Sequence, residues 1–317
     1  TGTTGTEIAQ YMFGELGTEG EPSAFTYLGT SAALTDVSFV TSGNDVRGYL
    51  LTINGLQANY ALLAFALVES YDLAHDHLLS ALDSFAMGDE GRLYPGPISA
   101  FFHAFPGEGG RMVELSFGGG RIPYLVDDAA LDASQVVVER EAQILSPYGA
   151  LTRESFEAAW RRYFRMIYKE SFMRLEPLAL AIRERLETDR VPQVDYPHEV
   201  LAWLQGFDYE RTGGLSDFRA PTSCVATQRG DCDSLALTYV IIMQHLGFDA
   251  IVMVSDRYGH ALAAIDALGP GARFPFEGRQ WLVAELTDDV ALGQIAADMA
   301  DPAGWIGVRL RLAPQPR

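Results

Sequence analysis

The sequence predicts an α+β protein built from two lobes. Three observations carry that expectation. Residues 24–145 mix short alternating apolar stretches with Gly- and Pro-rich turns. From about residue 150 the pattern changes to long helical periodicity. Beyond Cys232 a helix that is apolar nearly all round is followed by three strand-like runs, as expected for a buried helix lying against an antiparallel sheet.

Residues 1–23 are rich in Gly, Thr and Glu and are expected to form a flexible N-terminal segment. The opening Thr1-Gly-Thr-Thr-Gly-Thr6 reads as a tether of the kind that follows an export signal or lipid anchor, which would place the protein outside the cytoplasm. The cut end of a longer chain would read the same way. Residues 24–148 are expected to be an accessory lobe, mixed or β-rich. Asp36–Thr41 and Arg47–Ile53 alternate or cluster as strands do. Asn59–Asp72, rich in Ala and Leu, reads as a helix. His75–Met87 reads as a better one, with Leu78, Leu79, Leu82 and Phe85 on one face. Ile98–Phe105 and Arg111–Phe117 flank a Pro-Gly-Glu-Gly-Gly turn and predict a hairpin. Arg121–Val126 and Gln135–Glu141 predict further strands.

Residues 149–317 are expected to form the second domain. Thr152, followed by Glu154 and Ser155, starts a helix with Phe156, Trp160, Phe164 and Ile167 at helical spacing. Leu175–Leu186 and Pro197–Phe207 continue the helical part. The Cys232 helix then precedes strands at Ala250–Ser255, His260–Asp266 and Gln280–Thr287.

Composition excludes some functions. Of 317 residues 42 are acidic and 23 basic, giving a net charge of -19 spread along the chain. That charge disfavours nucleic-acid phosphates and anionic membrane surfaces as partners. No run reaches the ~20 apolar residues that a membrane-spanning helix needs. The two cysteines, Cys224 and Cys232, cannot form a disulfide framework. A bridge between them would silence a nucleophile, and Cys224 reads better as a small, partly buried residue. No histidine lies near them at zinc-ligand spacing, so no metal site is expected. His75 and His77, two apart on a helix, face different ways and read as solvated.

The chemistry concentrates in Arg229-Gly-Asp-Cys-Asp-Ser234. A thiol at a helix N-terminus meets unpaired backbone N–H groups and the positive end of the helix dipole, both of which favour the thiolate. Gly230 permits a close approach and Asp231 can cap the helix. Asp231 and Asp233 act against the thiolate by raising the thiol pKa. His260 follows a turn-rich loop and begins a strand, in a position to act as the base. Asp266 lies too far along that strand to orient the ring, roughly 20 Å at ~3.3 Å per residue. Glu285, on the next strand, is the better third member. Gln228, Trp203 and Gln205 are candidates for oxyanion or substrate contacts.

These residues resemble the transglutaminase-like branch of the papain-like cysteine enzymes. The likeness runs through Leu201–Tyr209, Thr227-Gln-Arg-Gly-Asp-Cys-Asp233, Leu246–Val252, Gly259-His260 and Trp281-Leu-Val-Ala-Glu-Leu-Thr287. It implies a central cysteine helix against an antiparallel sheet and a Cys-His-acid triad. It also implies acyl transfer from an amide of a peptide or protein substrate, without a cofactor. Hydrolysis of peptides or cell-wall cross-links is the leading expectation. Two features depart from the family pattern: the acid is Glu285 rather than Asp, and Ala261 follows His260 where many members place an aromatic residue nearby. These departures, with the flanking carboxylates, keep open a second reading, an inactive binding module at the cell surface. A third reading gives the N-terminal lobe a binding role of its own, for which a concave aromatic patch would be the sign.

Overall fold

A computed structural model describes residues 3–310 except 108, 151, 212, 214 and 215. The chain divides into two compact units, residues 1–108 and 109–317. The division falls at 108/109 rather than the expected 148/149.

The first unit is a four-stranded antiparallel sheet in sequence order between helices. Helix α1 spans Gly5–Leu16, and strands β1 to β4 span Ser23–Tyr27, Thr30–Thr41, Asn44–Asn54 and Asn59–Leu67. Helices α2, Tyr71–Asp83, and α3, Pro97–Phe102, follow. One sheet face buries Val37 and Leu50 against Ala9 and Phe13 of α1. The other buries Leu34, Leu51 and Ile53 against Leu82 of α2 and Ile98 of α3.

Several expectations are corrected here. Residues 5–16 are not a flexible segment but a capped helix. The Thr4 hydroxyl accepts from Glu7 N–H, and the Glu7 carboxylate accepts from Thr4 N–H at 2.7 Å. A Cβ on Gly5 would lie 2.5 Å from the Ala32 carbonyl carbon, so glycine lets this helix start against β2. Residues 59–67 are a strand, not a helix, because they pair with β3 along its whole length. Pairing across the sheet overrides the Ala/Leu helical propensity. Ile98–Phe102 is likewise helical rather than strand. Pro97 opens it, and the Asp83 carboxylate accepts from Ile98 and Ser99 N–H at 3.0 and 2.9 Å. That cap comes from fifteen residues upstream, beyond the reach of local pattern.

The second unit opens with the hairpin β5, Arg111–Phe117, and β6, Gly120–Val126. Strand β5 therefore pairs forward with β6, not back with residues 98–105. Helices α4 to α7 follow at Asp128–Leu145, Arg153–Ser171, Glu176–Thr188 and Tyr196–Gln205. The Val-rich stretch 135–141 lies inside α4 and not in a strand. Asp127 caps that helix by accepting from Ala129 and Ala130 N–H. Thr152 caps α5 as expected, accepting from Ser155 N–H. Next come β7 (Asp208–Tyr209), α8 (Pro221–Thr227), β8 (Arg229–Gly230) and α9 (Cys232–His245). Strands β9 to β13 are Ala250–Ser255, His260–Ile265, Arg273–Phe276, Arg279–Ala284 and Ile306–Val308.

Together β9 to β13 make a five-stranded antiparallel sheet ordered β11-β12-β10-β9-β13. Helix α9 is buried almost throughout and packs on β9 and β10, with α5 to α8 also against it. Ile251, Met253, Leu262, Trp281 and Trp305 fill a core built on this sheet. An α+β fold with a central cysteine helix against an antiparallel sheet is thus present. Among the described residues no helix is long and apolar enough to cross a membrane.

Candidate active site

The cysteine is positioned from both sides of α9's first turn. Gln228 ends α8 in the left-handed region, at φ 52°, and β8 then runs parallel to β7. A Cβ on Gly230 would lie 2.8 Å from Ser234 Cβ and 3.0 Å from Cys224 Sγ, so this approach requires glycine. Asp231 is the N-cap and accepts from Ser234 N–H at 2.9 Å and from the Ser234 hydroxyl. The Ser234 hydroxyl oxygen in turn accepts from Arg219 N–H at 2.8 Å. Cys232 follows as the first helical residue, and its thiol lies within reach of the Ala261 backbone N–H at the start of β10. Both cysteines are free and buried.

The histidine and the acid come from the sheet. Gly259, at φ 57°, ends the turn before β10, and His260 begins the strand opposite Ser255 of β9. Strand β12 runs antiparallel beside β10, and its last residue, Ala284, pairs with Ala263. Glu285 follows directly and accepts a hydrogen bond at 3.0 Å between its Oε2 and His260 Nε2. Its other oxygen, Oε1, accepts from both Thr287 N–H and the Thr287 hydroxyl at 2.8 Å. Trp305 stands edge-on to the imidazole with ring centres 6.3 Å apart. Asp266 instead pairs with Arg279, away from the ring.

Cys232 and His260 line one cavity of about 410 Å³. Asp217, Asp231, Asp233 and Asp256 also line it, with Arg211 as its guanidinium, and Phe156, Trp160 and Tyr163 form an aromatic wall. The electrostatics of the two halves differ. Burial pushes the Cys232 thiol up to about 12, with Asp233 and then Asp231 adding to the effect, while Ala261 N–H and Arg211 oppose it. Burial and the neighbouring Asp231 also raise the Asp233 carboxyl. Burial alone would raise Glu285, but the His260 hydrogen bond and charge, with the Thr287 donors, hold its carboxyl below the ordinary value. Cys224, fully enclosed, is pushed up to about 12 by burial and stays an inert core thiol.

The three proposed contact residues lie elsewhere. The Trp203 indole N–H donates to the Ser116 carbonyl at 2.7 Å. The Gln205 amide donates to the Glu285 and Val290 carbonyls, each at 2.9 Å, so it anchors the acid's backbone rather than a substrate. Gln228 is not among the cavity-lining residues. Sequence reasoning missed Trp160, Tyr163, Asp217 and Arg211, because nothing local ties α5, Arg211 or Asp217 to Cys232. Thr287 was readable as part of the resemblance but its role was not.

For a cation, the ligand atoms of Asp231, Cys232 and Asp233 all lie within 4.8 Å of one another. A metal bound there would occupy the thiol itself. Comparison with known proteins adds no assignment: no family profile, no curated protein and no solved structure matches the chain.

Proposed function

We propose that the second unit catalyses thiol-dependent acyl transfer at amide bonds, and that it is a transglutaminase-like enzyme acting on peptides or cell-wall cross-links outside the cytoplasm. The observation that carries this reading is the His260–Glu285 pair, made between adjacent strands, opening on the cavity that holds Cys232. An ionised carboxylate only accepts, so His260 Nε2 carries the proton and Nδ1 keeps its lone pair as the base. Nδ1 takes the thiol proton while sulfur bonds to the amide carbonyl carbon. The amide C–N bond then breaks, and the same proton passes to the departing amine. Water attacks the resulting thioester, returning the thiol and releasing the acid. Glu285 holds the ring's tautomer and stabilises the imidazolium that forms. Gln205 is a positioning residue through the Glu285 carbonyl.

The test is acylation by p-nitrophenyl acetate, followed by mass mapping of the intact chain. Acetyl on Cys232, absent in Cys232→Ser and strongly slowed in His260→Ala, is the expected result. An unlabelled Cys232 under saturating reagent would overturn the reading and leave the binding module in its place.

A second reading concerns the first unit. It holds a cavity of about 700 Å³ lined by Tyr60, Tyr94 and Phe105, with Gln57 and Glu90 as polar groups. That volume and lining suit a small ligand or one part of a larger one. Binding of an oligosaccharide by the full chain, weakened by Tyr94→Ala, would support it. Binding unchanged by that variant would remove it.

A further inference from the structure

The Cys232 cavity holds more carboxyl groups than the proposed chemistry uses. Four aspartates line it against the single guanidinium of Arg211, and His260 is already paired with Glu285. Asp231 is committed to capping α9, and Asp217 accepts from Gly213 N–H. Asp233 differs from these: its Oδ1 is shielded from solvent and has no hydrogen-bond partner among the described residues. Its carboxylate lies within 4.8 Å of the Cys232 sulfur and the Asp231 carboxylate. Deprotonating the thiol leaves its proton on His260 but puts a sulfur anion beside the aspartates, so a cation entering the cavity eases the step. In a two-step acyl transfer the thiol reacts with the acyl donor before any acceptor enters. A cation that eases thiolate formation therefore belongs to the donor.

The aromatic wall fits the same occupant. Trp160, Tyr163 and Phe156 face the cavity, and a cation between ring faces and carboxylates gains both cation–π attraction and charge-assisted hydrogen bonds. An anionic group brings no donor to the Asp233 oxygen, and a neutral donor pairs with it less strongly than a charged one. We propose that the acyl donor accepted by this cavity carries an ammonium or guanidinium group beside the reacting amide, received by Asp233 together with Asp217 and Asp256. This inference rests on the reading of Cys232 as the nucleophile.

The experiment compares three small alkylating probes of different charge on the full chain, with EDTA present. They are 2-bromoethylamine, iodoacetamide and iodoacetate. Each rate at Cys232, read by mass mapping, is divided by the rate of the same probe with N-acetylcysteine. The expected order is cationic, then neutral, then anionic, spanning at least ~10-fold, and shrinking in ~1 M salt as exposed charges are screened. Asp256→Asn and Asp233→Asn should each narrow the span, and Asp256 is exposed, so its variant keeps the test usable if Asp233→Asn misfolds. Reactivity at Cys232 with no charge preference overturns this inference and leaves the nucleophile standing. Inertness to all three probes overturns both.

Discussion

Glu285 and Asp231 are buried and Asp233 is half-buried, and all three sit beside a catalytic candidate, yet Glu285 and the Asp231–Asp233 pair respond in opposite directions. Glu285 has a partner for each oxygen: His260 on one, the Thr287 N–H and hydroxyl on the other. Asp231 accepts from the Ser234 N–H and hydroxyl, and among the described residues Asp233 Oδ1 has no donor. Burial pushes all three carboxyls up, and neighbouring aspartates add to that push for Asp231 and Asp233, while the donors around Glu285 overcome it. The sheet side of the site is therefore preorganised for an ionised acid. The helix side is held in a state that resists ionisation, thiol included.

The largest expected effect comes from breaking the satisfied half. Glu285→Gln keeps the shape and an acceptor for Thr287. It offers His260 Nε2 an amide N–H in place of an acceptor, which shifts the ring proton to Nδ1. Acylation of Cys232 should fall by roughly 10²–10⁴, the scale seen when a triad acid loses its charge, with folding largely kept. An acylation rate within threefold of the parent would show that Glu285 is not the orienting acid. Glu285→Ala should also cost stability, on the order of 3 kcal/mol, because the buried donors lose their acceptor.

Next in size is the unsatisfied half. Asp233→Asn removes the carboxyl that, after burial, does most to raise the thiol, so above about pH 8, where Asp233 ionises in the parent, Cys232 should alkylate faster in the variant, about tenfold for each unit by which its pKa drops. The pair also predicts opposite pH dependence of stability. Glu285 titrates lower in the folded chain than its ordinary value of about 4.3. Its contribution is present above that pH and is lost as pH falls through the folded value. Asp233 titrates higher than its ordinary value of about 3.9. The folded chain keeps a proton that the unfolded chain has lost, so its contribution declines as pH rises above that value. Thermal melts from pH 3 to 8 should show Asp233→Asn gaining on the parent as pH rises, and Glu285→Gln losing ground. Parallel curves for parent and Asp233→Asn would refute the assigned direction.

The same contrast explains what the sequence made legible. Cys232, His260 and Glu285 were readable because each sits where local structure is strongly written. These positions are the start of an apolar helix behind a Gly-Asp cap, the first residue of a strand after a Gly turn, and the end of the next strand. The strands of the first unit with clear alternation, β2 and β3, were readable for the same reason. Two misses come from partners outside the local pattern: strand β4 pairs with β3, and α3 takes its cap from Asp83. The third is local, since the Val run of α4 reads as a strand although Asp127, directly before the helix, caps it. The partners of Trp203 and Gln205 were illegible in the same way, since Ser116, Glu285 and Val290 accept from them far along the chain.

Gln205 gives the smallest and most discriminating effect, because it touches the satisfied half only through backbone. Its amide holds the Glu285 carbonyl and the Val290 carbonyl together, fixing the segment that leaves β12. Gln205→Ala removes both bonds and should cost about 1–3 kcal/mol, the range for part-buried acceptors left unpaired. With the carboxylate free to shift, acylation of Cys232 should slow by several-fold while the charge preference among alkylating probes stays unchanged. Gln205→Glu is the sharper variant, since it keeps the size but turns two donors into repulsion against two carbonyls. It should be worse than alanine in both stability and acylation. If alanine and glutamate behave alike, the amide is only filling space, and the preorganisation of Glu285 comes entirely from Thr287 and His260.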